Sequence, residues 1–266
     1  MPTLEAIKVK QQATWSSGAY DKIAWITSPL GDTLCDAVDV RPGSKVLDVA
    51  TGTGHVALAA ARRFCDTTGV DYVPALIEVA RRRAEAEGLE VSFEEGDAEA
   101  LRFEDGSFDY VVSAIGVMFT ADHPKAASEL VRVCRPGGKV GMVNWTPAGF
   151  VGDMSRAIAK HVPPPPGIMP PGMWGTEDYL KEILADGVDP RIETRAITMR
   201  FLSPEHFADF FIANYGPTLK AFESLPEDDR PALRRDLVDL AKRTSRATDG
   251  TAACDFEYIV AVATKR

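Results

Sequence analysis

Between residues 45 and 145 short apolar runs alternate with stretches of helical periodicity, and that alternation leaves the chain few folds to choose from. The runs fall at 45–50, 67–71, 91–94, 108–115 and 139–145, and helical patterns fill 55–64, 75–87 and 125–134. Strands joined in this way by helices build a parallel sheet. Tyr110-Val-Val-Ser-Ala114 and Val140-Gly-Met-Val143 show no polar alternation, as expected of strands covered on both faces. Asp122 before Pro124 has the form of a helix N-cap with proline in the first turn, and Arg135-Pro-Gly-Gly138 closes that helix.

Upstream, helices are expected at 4–25 and 29–38, with Arg41-Pro-Gly43 turning into the first strand. Downstream the rhythm breaks. The proline-rich stretch 162–172 reads as a stiff, extended connection. It precedes a helix at 176–185, a strand at 191–202, helices at 204–224 and 226–244, and a strand at 256–264. The expected organisation is a helical lid over 1–40 and a ligand-binding core over 41–146. A cap would span 147–175 and 204–247, while 176–203 and 248–266 complete the core sheet. The fold class is α/β: a mostly parallel sheet, finished at its late edge with an antiparallel strand, under a cap that closes over the carboxyl ends of the strands.

With 266 residues and 45% hydrophobic content the chain can bury a substantial core. Its net charge of -9, and the setting of Arg81-Arg-Arg83 among helix formers and acids, disfavour nucleic acid as a partner; the basic run reads as a solvated helix face. The four cysteines are scattered without metal-ligand spacing, so reduced thiols and no metal site are expected. The first residues lack an apolar leader core and no window approaches the ~20 apolar residues of a membrane span, which gives a cytoplasmic, membrane-free expectation.

The turn after the first strand reads Asp48-Val-Ala-Thr-Gly-Thr-Gly54, and His55 opens the next helix. Glycines here let backbone N–H groups approach a ligand at a helix amino terminus. Alone the turn is ambiguous, because Gly52-Thr-Gly54-His-Val-Ala57 also fits a dinucleotide fingerprint. Three acids separate the readings. Asp48 precedes the turn, where a carboxylate can receive an amino-acid ammonium but would repel a pyrophosphate. Asp71, about 20 residues beyond Gly52, can accept from ribose hydroxyls with either cofactor. Asp97 ends the third strand, where it can accept from an adenine amino group. Together they favour S-adenosylmethionine (SAM).

The segments Val46-Leu-Asp-Val-Ala-Thr-Gly-Thr-Gly54, Gly69-Val-Asp71, 96–109 and Leu130-Val-Arg-Val-Cys-Arg-Pro-Gly-Gly138 resemble, in order, the motifs of class I SAM-dependent methyltransferases, with a Rossmann-like sheet. The resemblance covers roughly 40–146 and is nearest to the ubiquinone/menaquinone-biosynthesis C-methyltransferases, with their type 11 methyltransferase domain; Ala50 stands for the first glycine of the usual pattern. From Trp145 onward the chain is similar to bacterial methyltransferase-domain proteins without assigned substrates. Carried over by position, the resemblance implies that Asp48, Ala50, Gly52 and Gly54 surround the methionine part of SAM. It puts Asp71 on the ribose, Tyr72 beside the adenine, Asp97 and Ala98 on its other side, and Ser113, Ala114 and Ile115 under the sulfonium. Trp15 and Tyr20 occupy the position of the family's amino-terminal lid, with core packing as their alternative.

Methyl transfer from a sulfonium needs alignment and a dry cavity more than it needs a base. If a base exists, His123 is the first candidate; the competing reading makes it a surface residue beside the Asp122 cap. His55 is read as the start of its helix, and His161 and His206 flank cap elements without visible partners. Phe119, Trp174, Phe211 and Tyr215 are candidates for an apolar or aromatic acceptor pocket, set against the plainer reading that cap aromatics are core. The expected function is transfer of a methyl group to an O, N or C atom of a small apolar or aromatic molecule, with a homodimer left open. The rivals are a nicotinamide-dependent oxidoreductase and a SAM-binding module without turnover. The tyrosines lack a lysine four residues on, which weighs against the first.

Overall fold

The computed structural model describes residues 3–164, 168–184 and 188–266. The centre of the expected proline connection and the end of the expected helix 176–185 lie outside the described residues. The alternating region folds as β1 (Lys45–Val49), α4 (His55–Ala61), β2 (Asp66–Asp71), α5 (Pro74–Glu87), β3 (Ser92–Glu95), β4 (Phe108–Ala114), α6 (His123–Val133) and β5 (Cys134–Trp145). Before it come α1 (Leu4–Trp15), α2 (Tyr20–Thr27) and α3 (Pro29–Val38). After it come α7 (Phe150–Ala159), α8 (Glu177–Ile183), β6 (Arg191–Phe201), α9 (Pro204–Asn214), α10 (Gly216–Ser224), α11 (Arg230–Thr244) and β7 (Ala252–Thr264). No helix among the described residues is long and apolar enough to cross a membrane.

One 7-stranded sheet has the order β3-β2-β1-β4-β5-β7-β6. The first five strands are parallel, and β7 runs antiparallel between β5 and β6. The late strands therefore finish the sheet edge as expected, with β7 one place in and β6 outermost. Val46, Leu47, Val111, Val112, Val140 and Val143 are essentially inaccessible, which explains their unbroken apolar sequence. Strand order reverses between β1 and β4, and such a reversal opens a crevice at the carboxyl ends of the strands.

Two segments expected as single helices are broken. Gly18 separates α1 from α2 at φ 84°, and a Cβ there would stand 2.4 Å from the Asn214 carbonyl oxygen. Tyr215, with extended backbone, separates α9 from α10. The breaks meet in space: the Ala19 N–H donates to the Asn214 carbonyl at 3.1 Å, and the Gly216 N–H donates to the Tyr20 hydroxyl at 3.0 Å. Both breaks fall on local turn signals, Ser17-Gly18 and Gly216-Pro217, and the contact between them docks one turn on the other.

The β1–α4 turn is held from below. Asp48 is 1% exposed, and its Oδ2 accepts the Thr51 hydroxyl at 2.5 Å and the Ala57 N–H at 2.9 Å. Burial pushes this carboxyl up from its ordinary 3.8 to about 7, with the two hydrogen bonds opposing. A folded-state pKa above the unfolded one means stability that is complete below about pH 4 and is lost as pH rises through about 7. Asp48→Asn keeps an acceptor oxygen and removes the titration. In urea unfolding the variant should gain on wild type from about pH 4 to about pH 7 and gain nothing further above it; a difference independent of pH would contradict the assignment. Nearby, α3 crosses α4 so closely that a Cβ on Gly31 would lie 2.5 Å from the His55 carbonyl oxygen. Because backbone cannot step aside as a side chain can, Gly31→Ala should lower unfolding free energy by about 1–3 kcal/mol, and an unchanged urea midpoint would refute this crossing.

Candidate active site

The turn above Asp48 passes through left-handed backbone at Ala50 (φ 54°), Gly52 (φ 55°) and Gly54 (φ 87°). Gly52 donates its N–H to Asp71 Oδ2 at 2.8 Å, and Asp71 Oδ1 accepts the Val73 N–H at 2.9 Å. Burial pushes the Asp71 carboxyl up to about 6, against the pull of these N–H groups. Facing the turn across the strand reversal, Ile115 is also left-handed (φ 55°). A non-glycine residue in this region carries strain, and such residues gather at functional sites. Gly116 beside it has no room for a side chain: a Cβ would sit 2.6 Å from the Ala50 carbonyl oxygen and 2.8 Å from Ser113 Oγ.

Over these turns lie two adjoining hollows of about 130 Å³ each. The first is lined by Ala50, Gly52, Asp71, Tyr72, Asp97, Ala98 and Ile115, all expected from sequence, together with Lys8, Gln11, Glu99 and Gly116, which were not. The second is lined by Ala114, Phe211 and Tyr215 from the expected set, and by Ile23, Thr27, His55, Trp145, Met154, Met199 and Phe256. Trp15, Tyr20, Ala50, Gly52, Leu76, Ile115 and Phe119 border both. The ring centroids of Trp15 and Phe119 are 4.6 Å apart, and Tyr215 stands edge-on to both Trp15 and Tyr20 at 6.2 Å. This aromatic roof sits where the two helix breaks meet.

Five expected site residues are not among the lining of either hollow. Asp48 lies beneath the turn. Gly54 faces Ala80 and Phe93. Ser113 is fully buried, its Oγ accepting the Val117 N–H at 3.1 Å. His123 is neither a surface residue nor a wall of the cleft: at 0% exposure its Nδ1 is 3.0 Å from the Tyr179 hydroxyl and its ring is edge-on to Trp174. Burial pushes its pKa down to about 4. Trp174, also at 0%, is core; the short helical turn that carries it, Pro171–Gly175, packs down onto β5. His161 and His206 do have partners, Asp236 Oδ2 at 3.2 Å and the Leu202 N–H at 3.3 Å.

The two hollows differ in charge. Among the described residues, the second has no carboxylate, lysine or arginine in its lining. Its one histidine, His55, is locked: Arg83 Nη1 donates to Nδ1 at 3.0 Å, so the ring proton is on Nε2 and points to Thr27 Oγ1 at 2.9 Å. Burial and the Arg83 charge push His55 down to about 3. The first hollow is acidic, and its roof is α1. Lys8, Gln11, Gln12 and Trp15 share one helix face. Lys8 Nζ reaches Asp97 Oδ2 at 2.6 Å and Glu99 Oε2 at 2.5 Å; Gln11 donates to the Phe119 carbonyl at 3.0 Å and Gln12 to the Tyr72 carbonyl. That spacing was the available sequence signal, hidden because a polar helix face ordinarily faces water.

Residues 46–138 match the model of a family described as "Methyltransferase domain". The chain is 38% identical over 268 residues to an uncharacterized protein of Mycobacterium tuberculosis H37Rv, covering 98% of this chain and 96% of that one. It is 42% identical over 153 residues to the demethylmenaquinone methyltransferase of Thermus thermophilus, covering 55% of this chain and 70% of the relative. Among solved structures, the YcgJ protein of Bacillus subtilis superposes with a TM-score of 0.60 at 21% identity, over 90% of this chain and 98% of that one, which speaks for the fold. Motif order, a glycine turn flanked by Asp71 and Asp97, and relatives of this similarity agree: the chain belongs to the class I SAM-dependent methyltransferases and resembles their quinone-biosynthesis branch.

Proposed function

We propose that this methyltransferase acts on an O, N or C atom of a small, uncharged, apolar or aromatic molecule held in the second hollow, with SAM in the first. The observation that carries the reading is the division of one cleft into an acid-lined half and a half without charged side chains. Bound SAM supplies a methyl group on a sulfonium whose charge vanishes as the methyl leaves. The residues present suit that cofactor. Asp71, anchored by the Gly52 and Val73 N–H groups, retains lone pairs for ribose hydroxyls. Asp97, 37% exposed at its side chain, offers a carboxylate to the adenine amino group, with Tyr72 and Ala98 alongside. Gly52 brings bare backbone to the methionine end, since nothing lies within 4 Å of where its Cβ would be. Asp48 serves the methionine end by fixing this turn.

In the acceptor half, Trp145, Met154, Met199, Phe211 and Phe256 provide apolar walls that exclude water. Among the described residues that line it, no group is placed to take a proton, the Tyr215 hydroxyl being pushed up by burial. His55 uses both ring nitrogens, and the Tyr20 hydroxyl is buried with its pKa pushed up. The acceptor must therefore be nucleophilic as it arrives, and the protein's contribution is alignment. An aromatic ring activated by its own hydroxyls fits this chamber, in keeping with the name of the Thermus relative.

Asp71→Ala and Asp97→Ala should each weaken binding of the product S-adenosylhomocysteine (SAH) by about 10- to 100-fold in calorimetry, the range for lost hydrogen bonds to a charged group. Tight binding retained in both variants would sink the assignment. In a panel with labelled SAM, neutral phenols, hydroquinones and amines should accept label and their carboxylated or phosphorylated analogues should not. Preferential labelling of the charged analogues would overturn the acceptor class.

A further inference from the structure

We infer that Lys8 is a latch residue of the cofactor site: its ammonium competes with adenine for the Asp97 carboxylate, and Glu99 retains it when SAM binds. The inference rests on the reading of Asp97 as the adenine partner. Three observations support it. Lys8 Nζ donates to Asp97 Oδ2, so a cationic N–H donor stands where an adenine amino donor would act. Glu99 is built to keep the ammonium afterwards. Its side chain is 5% exposed, its Oε1 is fixed by the Ala121 and Asp122 N–H groups at 2.7 and 2.9 Å, and its Oε2 faces Lys8. Finally, α1 roofs the acid-lined hollow, with Lys8 and Gln11 in the wall beside Asp97. Lys8 makes the ionic contact between that roof and the floor, and the Gln11 and Gln12 hydrogen bonds to the carbonyls of Phe119 and Tyr72 ride on the same helix.

The latch works by competition. While Lys8 bridges Asp97 and Glu99 the free enzyme is closed. The adenine amino group then takes Asp97, and Glu99 alone retains the ammonium and brings α1 back down. SAH at neutral pH carries one positive and one negative charge, so salt acts on the latch rather than on long-range steering of the ligand.

The test is SAH binding to the full chain by calorimetry and stopped-flow fluorescence, comparing wild type with Lys8→Met, Lys8→Arg and Asp97→Ala, with thermal unfolding as a control for folding. Lys8→Met should bind SAH about two- to five-fold more tightly, the range of one partly exposed ion pair, and should do so through a faster on-rate. The wild-type on-rate should rise with ionic strength, that of Lys8→Met should be flat, and Lys8→Arg should restore the wild-type dependence. Weaker binding by Lys8→Met would make Lys8 a ligand instead of a competitor and overturn the latch, as would an on-rate unaffected by either substitution or salt. If Asp97→Ala leaves SAH affinity intact, the site reading fails and the latch with it. If Asp97→Ala weakens binding while Lys8→Met changes nothing, only the latch fails.

Discussion

Two buried carboxylates at the ends of adjacent parallel strands hold the site in shape. Asp71 takes the Gly52 N–H from the side, and Asp48 takes Thr51 and Ala57 from below. These bonds act with the Thr51 N–H to Val70 carbonyl bond and the Arg83 bonds to Thr53 to define a turn through three left-handed residues. Both groups are held against their solvation preference, as burial raises each above the usual carboxylate range. The local cost is offset by the shape obtained: a strained turn whose backbone lies open to a ligand on its upper face.

Much of this architecture was legible in the sequence. Strand and helix periods in the core are local properties, set by burial on both faces of one sheet, and they survive in the order of β1 to β5, although β5 begins at Cys134 and takes in the Arg135-Pro-Gly-Gly138 stretch expected as a turn. The helix breaks at Gly18 and Tyr215 were read through although Ser17-Gly18 and Gly216-Pro217 signal turns; what was not legible is that the two turns pack against each other. The same cause hid the roof. Lys8, Gln11 and Gln12 are ordinary residues for a solvated helix face, and nothing local shows that Asp97 and the carbonyls of Tyr72 and Phe119 lie opposite them. His123 and Trp174 were misplaced for the converse reason. Beside a cap and a proline-rich stretch they look peripheral, yet the segment around Pro171–Gly175 folds back over β5 and buries them together.

Acids and aromatics in the cleft come from different parts of the chain. Asp71, Asp97 and Glu99 belong to the alternating core, while Met199, Phe211, Tyr215 and Phe256 come from the late segments. In the proposed division of the cleft, cofactor chemistry is thereby tied to the sheet, and acceptor shape to elements added onto it. Trp15, Tyr20 and Phe119 join the halves, so movement of α1 is felt in both.

The placement of β7 between β5 and β6 has a consequence for how the molecule comes into being. β6 pairs along its whole length with β7 alone, and the two are separated in the chain by α9, α10 and α11. During synthesis the parallel core can close while β6 still has no neighbour, since contacts of long sequence separation form late. A bare strand in that interval invites pairing with the wrong chain. Arg191, Glu193 and Arg195 alternate along its first half, with Arg191 and Glu193 joined as an ion pair, and charged side chains of this kind discourage such association. Met199 on β6 and Phe256 on β7, in the wall proposed for the acceptor, thus depend on a pairing of long sequence separation, and the strand that waits for it carries its own protection.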